Sequence, residues 1–71
     1  MKLYTQDRER IVEMPREIWT IKHADGCGIC STSYLKGMLA EYETEERAKE
    51  VLAEIFKYYR NGEISYILPS K

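Results

Sequence analysis

The residues best suited to chemistry lie in one short stretch, where a histidine precedes a Cys-x-x-Cys motif. Cys27 and Cys30 enclose Gly28, and His23 lies four residues before the motif with Asp25 between. Zinc favours thiolate and imidazole ligands, and a glycine inside the motif permits the tight turn that brings two sulfurs to one ion. The candidate metal ligands are therefore His23, Cys27 and Cys30. A structural zinc site takes four ligands, so Asp25 or a second subunit would have to complete it.

Redox or nucleophilic chemistry is less well supported by the same residues. A redox Cys-x-x-Cys motif lies at a helix N-terminus, where the dipole lowers the pKa of the first thiol. This motif falls in a predicted hairpin turn, where two ordinary thiols are the commoner case. His23 has no nucleophile motif such as G-x-S-x-G to serve as a general base for. The sequence therefore predicts no enzyme, no catalytic residue and no cofactor.

Size and composition limit the class of protein. The chain has 71 residues, a net charge of -1 and 44% hydrophobic residues. A chain this short buries only about 60% of its unfolded surface, which leaves room for one domain and none for a cleft between two. No segment approaches the ~20 apolar residues of a membrane span. The first residues lack the apolar run of a signal peptide, so we expect a cytoplasmic protein.

The clearest structural signal is a helix over 44–61. Apolar residues recur there at three- and four-residue spacing. They form one stripe, made of Ala48, Val51, Leu52, Ile55, Phe56 and Tyr59. Thr44 is a suitable N-cap, and Asn61-Gly62 supplies the left-handed conformation that ends many helices.

Strands are predicted on both sides of this helix. Short runs rich in β-branched and aromatic residues cover 3–5, 10–14, 17–23 and 33–42, and a last run covers 64–68. In the third run, alternation places Trp19, Ile21 and His23 on one face. The segment 24–28 contains two glycines and is expected to turn the chain.

These elements predict an α+β fold in a single domain, 1–71. We expect a small antiparallel sheet of four to five strands with one amphipathic helix packed on one face, in the order β-β-β-β-α-β. One helix covers one side of the sheet, and six tyrosines and one tryptophan exceed what so small a core can hide. A homodimer or higher oligomer is expected to cover the second face.

The surplus of aromatic residues is the better indication of a binding surface, because Tyr and Trp give large, stiff contact area with a polar tip. The candidate binding residues are Trp19, Tyr34, Tyr42 and Tyr58, together with Arg16 and Arg60. The alternative, that these rings only border the core or close a dimer, stays open. Direct nucleic-acid binding is less favoured because it needs a positive groove, whereas acidic residues alternate with the arginines of the first third.

Three short stretches of the sequence carry a family resemblance. They are the opening L-Y-T-Q-D from Leu3, a Y-x-T-E-E-x-A helix start at Tyr42 and a Y-x-x-P ending at Tyr66. With these stretches the chain resembles small uncharacterised proteins of Gram-positive bacteria and their prophages, although the Cys-x-x-Cys turn departs from that group. The resemblance implies no activity and no site residues. It implies a context in which proteins of this size act by binding, some blocking a host-defence protein and some taking up its nucleotide signal.

Together these observations favour a small non-enzymatic binding protein, encoded by a phage or mobile element. It would antagonise a host process by binding a protein or by sequestering a small nucleotide. One alternative is a metal-stapled or nucleic-acid-binding module that uses the turn with His23, Cys27 and Cys30. Another is a housekeeping domain whose only act is to dimerise.

Overall fold

A computed structural model describes residues 1–32 and 38–71, and in these residues the chain forms six strands and one helix. The strands are β1 (Lys2–Tyr4), β2 (Ile11–Glu13), β3 (Ile18–His23), β4 (Gly26–Ser31), β5 (Ala40–Tyr42) and β6 (Ser65–Ile67), and α1 (Glu45–Arg60) lies between β5 and β6. The first sheet has the order β2-β1-β6 and the second sheet has the order β3-β4-β5. The α+β class is thus confirmed.

The helix begins and ends at the residues that the sequence indicates. The Thr44 hydroxyl accepts a hydrogen bond from the Arg47 amide at 3.1 Å, which satisfies one free N–H of the first turn. At the other end, Gly62 has a φ of 76°, and the amides of Gly62 and Glu63 donate to carbonyls of the last turn. This pair of bonds closes the helix. The prediction of a helix over 44–61 is confirmed, with capping residues at both ends.

The core lies between this helix and one face of the second sheet. Ala48, Val51 and Ile55 are buried on α1, and they pack with Ile29 of β4 and Leu3 of β1. Each fully buried Leu, Ile or Val side chain contributes about 1.5–3 kcal/mol relative to exposure. We call this face of the second sheet its inner face and the opposite face its outer face. Within residues 1–32 and 38–71, no helix combines the length and apolar character required to cross a membrane.

The third predicted strand has the expected alternation, but the segment after it differs from prediction. β3 pairs antiparallel with β4, from Ile18 opposite Ser31 to His23 opposite Gly26, so the turn contains only two residues. Gly26–Ser31 was expected to be mostly turn, and it is the middle strand of the second sheet. Its glycines indicated a turn, but Gly26, at a φ of 153°, only closes the hairpin. Of the predicted strand 33–42, the structure has Ala40–Tyr42, and 33–37 lie outside the described residues.

The expectation of a single antiparallel sheet is wrong. The strands form two sheets, and β6 pairs parallel with β1. Pro15 has no N–H for a ladder and is buried where the chain passes from β2 to β3, so these two strands do not continue one sheet. After β1, the Gln6 amide donates to the Leu39 carbonyl at 3.0 Å. Beyond that bond, the hydrogen bonds between β5 and the residues that follow β1 are made by a side chain instead of a ladder.

That side chain is the carboxamide of Gln6. Its Oε1 accepts from the Glu41 amide at 2.8 Å, and its Nε2 donates to the Glu41 carbonyl at 2.8 Å. The same Nε2 lies 3.2 Å from the Pro69 carbonyl oxygen and 3.1 Å from that of Ser70. One carboxamide therefore occupies the place of a strand beside β5 and also binds the segment that follows β6.

This last segment, residues 68–71, is fixed by side chains along its whole length. Arg8 donates to the Leu68 carbonyl at 2.8 Å, and Arg47 donates to the Lys71 carbonyl at 2.9 Å. Arg8 has a φ of 64°, a left-handed conformation in the turn between β1 and β2 that aims its guanidinium at this segment. With Gln6 on the two carbonyls between, the segment is bound through its backbone to both sheets and the helix.

Gln6→Glu and Gln6→Met test the role of this carboxamide. Methionine keeps the length but removes the donor and acceptor, so we expect a loss of about 1–2 kcal/mol in the free energy of unfolding. Glutamate should lose more, because a carboxylate oxygen then faces the carbonyls that Nε2 now binds. Urea denaturation at neutral pH measures both losses. Glu9→Gln, in the same turn and exposed, serves as the control, and a Gln6→Glu variant as stable as the wild type would contradict this role.

Gly26→Ala and Gly62→Ala compare two glycines with positive φ. A Cβ at residue 26 would overlap the backbone carbonyl oxygen of Tyr42, whereas a Cβ at residue 62 has no neighbour within 4 Å. We expect Gly62→Ala to cost about 1–2 kcal/mol from backbone conformation alone. Gly26→Ala should cost clearly more, because strand β5 must also move. Thermal melts of the two variants measure the difference, and equal losses would show that the close approach of β5 is unimportant.

Candidate functional site

The outer face of the second sheet carries two exposed apolar side chains of β3. The pairing register places Trp19, Ile21 and His23 on this face, with Trp19 directly opposite Cys30 of β4. Trp19 is 41% exposed and Ile21 is 46% exposed. In the described part of the chain, α1 is the only helix and it packs against the inner face, so these two apolar side chains remain open to solvent.

Strand β4, the middle strand of the second sheet, has no side chains on the outer face over part of its length. Gly26 and Gly28 both point to this face, because they pair with His23 and Ile21. Glycine inside a strand often marks a place where another group approaches closely. Here the Met38 side chain lies over Gly28, at the position that a Cβ would occupy. We call the stretch of the outer face at Gly26 and Gly28, together with the Met38 side chain that lies on it, the glycine trough.

A polar contact crosses the trough at its other end. His23 Nε2 on β3 lies 3.0 Å from Glu41 Oε1 on β5, although β4 runs between these strands. The two side chains meet because Gly26 and Gly28 have none to separate them. The position of Glu41 is fixed by the Gln6 carboxamide, which binds its backbone N–H and C=O groups. The trough therefore has an apolar side at Trp19 and a polar end.

The geometry of β4 separates the three candidate metal ligands. Cys27 is buried on the inner face and pairs with Lys22, whereas Cys30 points to the outer face. His23 shares the outer face with Cys30 but lies four residues along the strand, a separation of about 13 Å. Zinc ligands lie about 2.0–2.3 Å from the ion, so these three side chains do not surround one point. Among the residues that the structure describes, no three His, Cys, Asp or Glu side chains are grouped to hold a metal ion.

The two thiols have the environment of structural cysteines. Both are free, and burial together with the neighbouring Cys27 raises the pKa of Cys30. A nucleophilic cysteine requires the opposite shift, towards thiolate at neutral pH. The outer face therefore offers contact area and a His–carboxylate contact, and its thiol is poorly suited to covalent chemistry.

The predicted binding residues are not brought together. Trp19 is on the outer face, and Arg16 is exposed just before β3. Tyr58 and Arg60 are on α1, which packs against the inner face, and Tyr58 is half-buried with its ring edge-on to Tyr66 at 4.8 Å. Tyr34 lies outside the described residues. The expected single aromatic surface is thus divided between two sides of the second sheet.

Tyr42 was expected to bind a ligand, and the structure gives it a structural role instead. Its side chain is in the core at 5% exposure, and its hydroxyl donates to the Pro69 carbonyl at 2.8 Å. The Arg47 guanidinium lies 5.9 Å from the ring centroid. Tyr42 therefore connects β5 to the segment 68–71 and helps to fix the same backbone that Gln6 binds.

Several residues of the outer face were missed from sequence. Met38 and Glu41 belong to the trough, yet their neighbours Gly28 and His23 are distant in the chain, so no local pattern links them. One signal was present, because glycines at 26 and 28 alternate as strand residues do and would leave one face bare. The predicted apolar stripe on α1 is only partly buried, since Phe56 and Tyr59 belong to it and are 57% and 54% exposed.

Two shallow clefts border the outer face, and carboxylates line both. The one beside the hairpin turn has a volume of about 500 Å³, and its walls are His23, Asp25, Glu41, Tyr42 and Glu43. A second, at the start of α1, is also about 500 Å³ and adds Arg47 and Lys71 to Glu41 and Glu43. The carboxylates of the cleft beside the hairpin turn disfavour the binding of phosphate groups there and favour cationic partners.

Comparisons of the chain with protein-family models, curated proteins and solved structures find no match.

Tyr42→Phe tests the structural role of this tyrosine through alkaline stability. Burial raises the pKa of Tyr42 to about 12, above the value of about 10 expected in the unfolded chain. The unfolded state therefore loses its proton first, so this contribution is complete below pH 10 and is lost as the pH rises to 12. Burial and the bond to Glu54 raise the pKa of Tyr66 in the same direction.

We expect the wild type to lose stability between pH 9 and 11, with about 1 kcal/mol of that loss removed in Tyr42→Phe. Urea denaturation at the two pH values gives the slope. Tyr59→Phe, at an exposed position, is the matched control and should keep the wild-type slope. An unchanged slope in Tyr42→Phe would show that the hydroxyl is not buried against Pro69.

Proposed function

We propose that this chain is a non-enzymatic binding protein that recognises a protein partner through the outer face of its second sheet. The observation that carries the proposal is the half-exposed Trp19 beside Ile21 and the glycine trough. Tryptophan is the residue type most enriched where binding energy concentrates in protein interfaces. The face is formed on strands, so its contact residues are held in place before the partner arrives.

The trough supplies the second element of recognition. Met38 lies over Gly28, and methionine is a flexible side chain that can repack at low cost. A partner's apolar side chain can take its place on the bare strand, beside the indole of Trp19. The His23–Glu41 contact then borders the buried centre of the interface as part of a polar rim.

The charges around the trough favour a protein partner with basic residues over a nucleotide. Asp25, Glu41 and Glu43 line the adjacent cleft. Lysine or arginine beside the partner's apolar side chain would complement these carboxylates, whereas the phosphates of a nucleotide signal would be repelled by them. Direct binding to nucleic acid is disfavoured for the same reason. A protein is therefore the occupant that we propose.

The partner is proposed to be a bacterial host protein, on the basis of the resemblance to small prophage proteins. In that setting the chain would antagonise a host process, such as a defence system, by covering part of the partner's surface. We propose that it does so in the cytoplasm. Free thiols at Cys27 and Cys30 fit a reducing compartment.

The proposal is tested by affinity capture followed by titration. The immobilised chain is exposed to a lysate of a Gram-positive bacterium, and any protein retained is purified and titrated by calorimetry. Trp19→Ala should weaken binding by about 30-fold, as expected for loss of a central tryptophan. Ile11→Ala is the control, because Ile11 is also an exposed apolar residue but lies on the first sheet, and its affinity should stay within about twofold of wild type.

Three outcomes would overturn the proposal. The first is that Trp19→Ala captures the same protein with unchanged affinity. The second is that the wild type retains no protein that the variant fails to retain. The third is a thermal shift with a cyclic dinucleotide or an ADP-ribose derivative, which would favour sequestration of a nucleotide signal.

A further inference from the structure

Strand β3 has one edge whose backbone groups face away from β4. The Thr32 amide donates to the Glu17 carbonyl at 3.1 Å, so Glu17 and Thr32 are a hydrogen-bonded pair at the start of the ladder between β3 and β4. In an antiparallel pair, hydrogen-bonded and non-hydrogen-bonded residues alternate. The odd-numbered residues of β3 therefore bond to β4, and Ile18, Thr20 and Lys22 direct their N–H and C=O groups outwards. Within residues 1–32 and 38–71, no strand pairs with this edge.

An exposed apolar stripe of the helix lies on the same side of the molecule. Glu54 accepts from the Tyr66 hydroxyl at 2.8 Å, so this side of α1 faces β6 and the first sheet. The buried row of α1 is Ala48, Val51 and Ile55. Successive helix residues are rotated by about 100°, so Leu52, Phe56 and Tyr59 lie on one side of the buried row and Glu54 lies on the other. The helix packs chiefly on β3 and β4, so the side with Phe56 is next to the open edge. Strand edge and helix stripe together form one lateral surface with two layers.

We propose that a second copy of this chain binds this lateral surface, with the two β3 edges paired antiparallel about a two-fold axis at Thr20. Backbone groups of Ile18 and Lys22 would then pair with Lys22 and Ile18 of the partner, and Thr20 with its own copy. The second sheets of the two copies become one continuous sheet, and the two helix stripes meet above it. A two-fold arrangement is the commonest form of self-association and uses the same surface on both copies.

The charges beside β3 select this register. With the axis at Thr20, Glu17 lies opposite the partner's His23, and Trp19 lies opposite the partner's Ile21. A cross-strand pair of an aromatic with a β-branched residue is one of the stabilising kinds.

Neighbouring registers place like charges together. Pairing that keeps each side chain on its own face requires the axis to pass through a residue, so the alternatives are Trp19 and Ile21. An axis at Ile21 sets Glu17 against the partner's Asp25. An axis at Trp19 sets Arg16 against the partner's Lys22. Like charges directly opposite are destabilising, so both alternatives are disfavoured.

This mode of self-association does not rest on the partner-binding function proposed above, although Trp19 takes part in both. The sequence suggested that a dimer would cover the second face of the sheet. Edge pairing instead joins two outer faces side by side, so that both copies of Trp19 and Ile21 lie on one larger surface. The second copy binds through the backbone edge of β3 and the helix stripe, so Thr20→Pro removes the dimer while leaving the side chains of the outer face in place.

Sedimentation velocity across the micromolar range tests the proposal with a matched pair of variants. Wild type should shift from 8.4 kDa to twice that mass as concentration rises. Thr20→Pro removes the central outward N–H, which has no partner within β3 and β4, so a proline is tolerated at this edge. We expect its dimer to be weaker by at least about tenfold. Thr20→Val keeps the N–H and the branched shape and should dimerise as wild type does.

Phe56→Ser provides a second variant if Thr20→Pro does not fold, as judged by circular dichroism. It removes apolar area from the helix stripe at an exposed position and should also weaken the dimer, whereas Ile11→Ser on the first sheet should not. A wild type that stays at 8.4 kDa throughout, or a dimer unaffected by both Thr20→Pro and Phe56→Ser, would overturn the proposal. Partner binding that is lost in Trp19→Ala but kept in Thr20→Pro distinguishes failure of one proposal from failure of the other.

Discussion

The arrangement of the two sheets depends on the carboxamide of Gln6. It pairs with the backbone of Glu41 as a strand would and binds the carbonyls of Pro69 and Ser70. A side chain can do this where a strand cannot, because β1 has already turned away at Thr5 towards Arg10. Two three-stranded sheets are thereby joined around a single helix without a continuous ladder.

The surfaces available for function follow from this construction. One helix covers the inner face of the second sheet, and in residues 1–32 and 38–71 no further helix or strand covers the outer face or pairs with the edge of β3. The Gln6 side chain binds the backbone of Glu41, and the Glu41 carboxylate in turn contacts His23 across the glycines of β4. The outer face and the β3 edge are thus adjacent and differently composed, and we propose that the first binds a protein partner and the second another copy of the chain.

Local patterns in the sequence predicted the helix and the two faces of β3 well, because caps and alternation are properties of neighbouring residues. They failed where the meaning of a residue depends on a distant one. From its neighbours in sequence, Gly28 resembles a turn residue, but in the structure it is a strand residue covered by Met38. Tyr42 resembles a surface aromatic, but its hydroxyl donates a hydrogen bond to the Pro69 carbonyl. The Cys-x-x-Cys spacing suggested a metal site only while Cys27 and Cys30 were assigned to a turn, since a strand sends them to opposite faces.

Hydrogen exchange at the Glu41 amide, followed by NMR, measures the central interaction most directly. This N–H points away from β4 and is bonded only by the Gln6 side chain in the part of the chain described. Slow exchange is predicted, comparable with that of the Ala40 and Tyr42 amides in the ladder on either side. Exchange as fast as in the exposed turn at Ala24 and Asp25 would show that Gln6 does not join the two sheets.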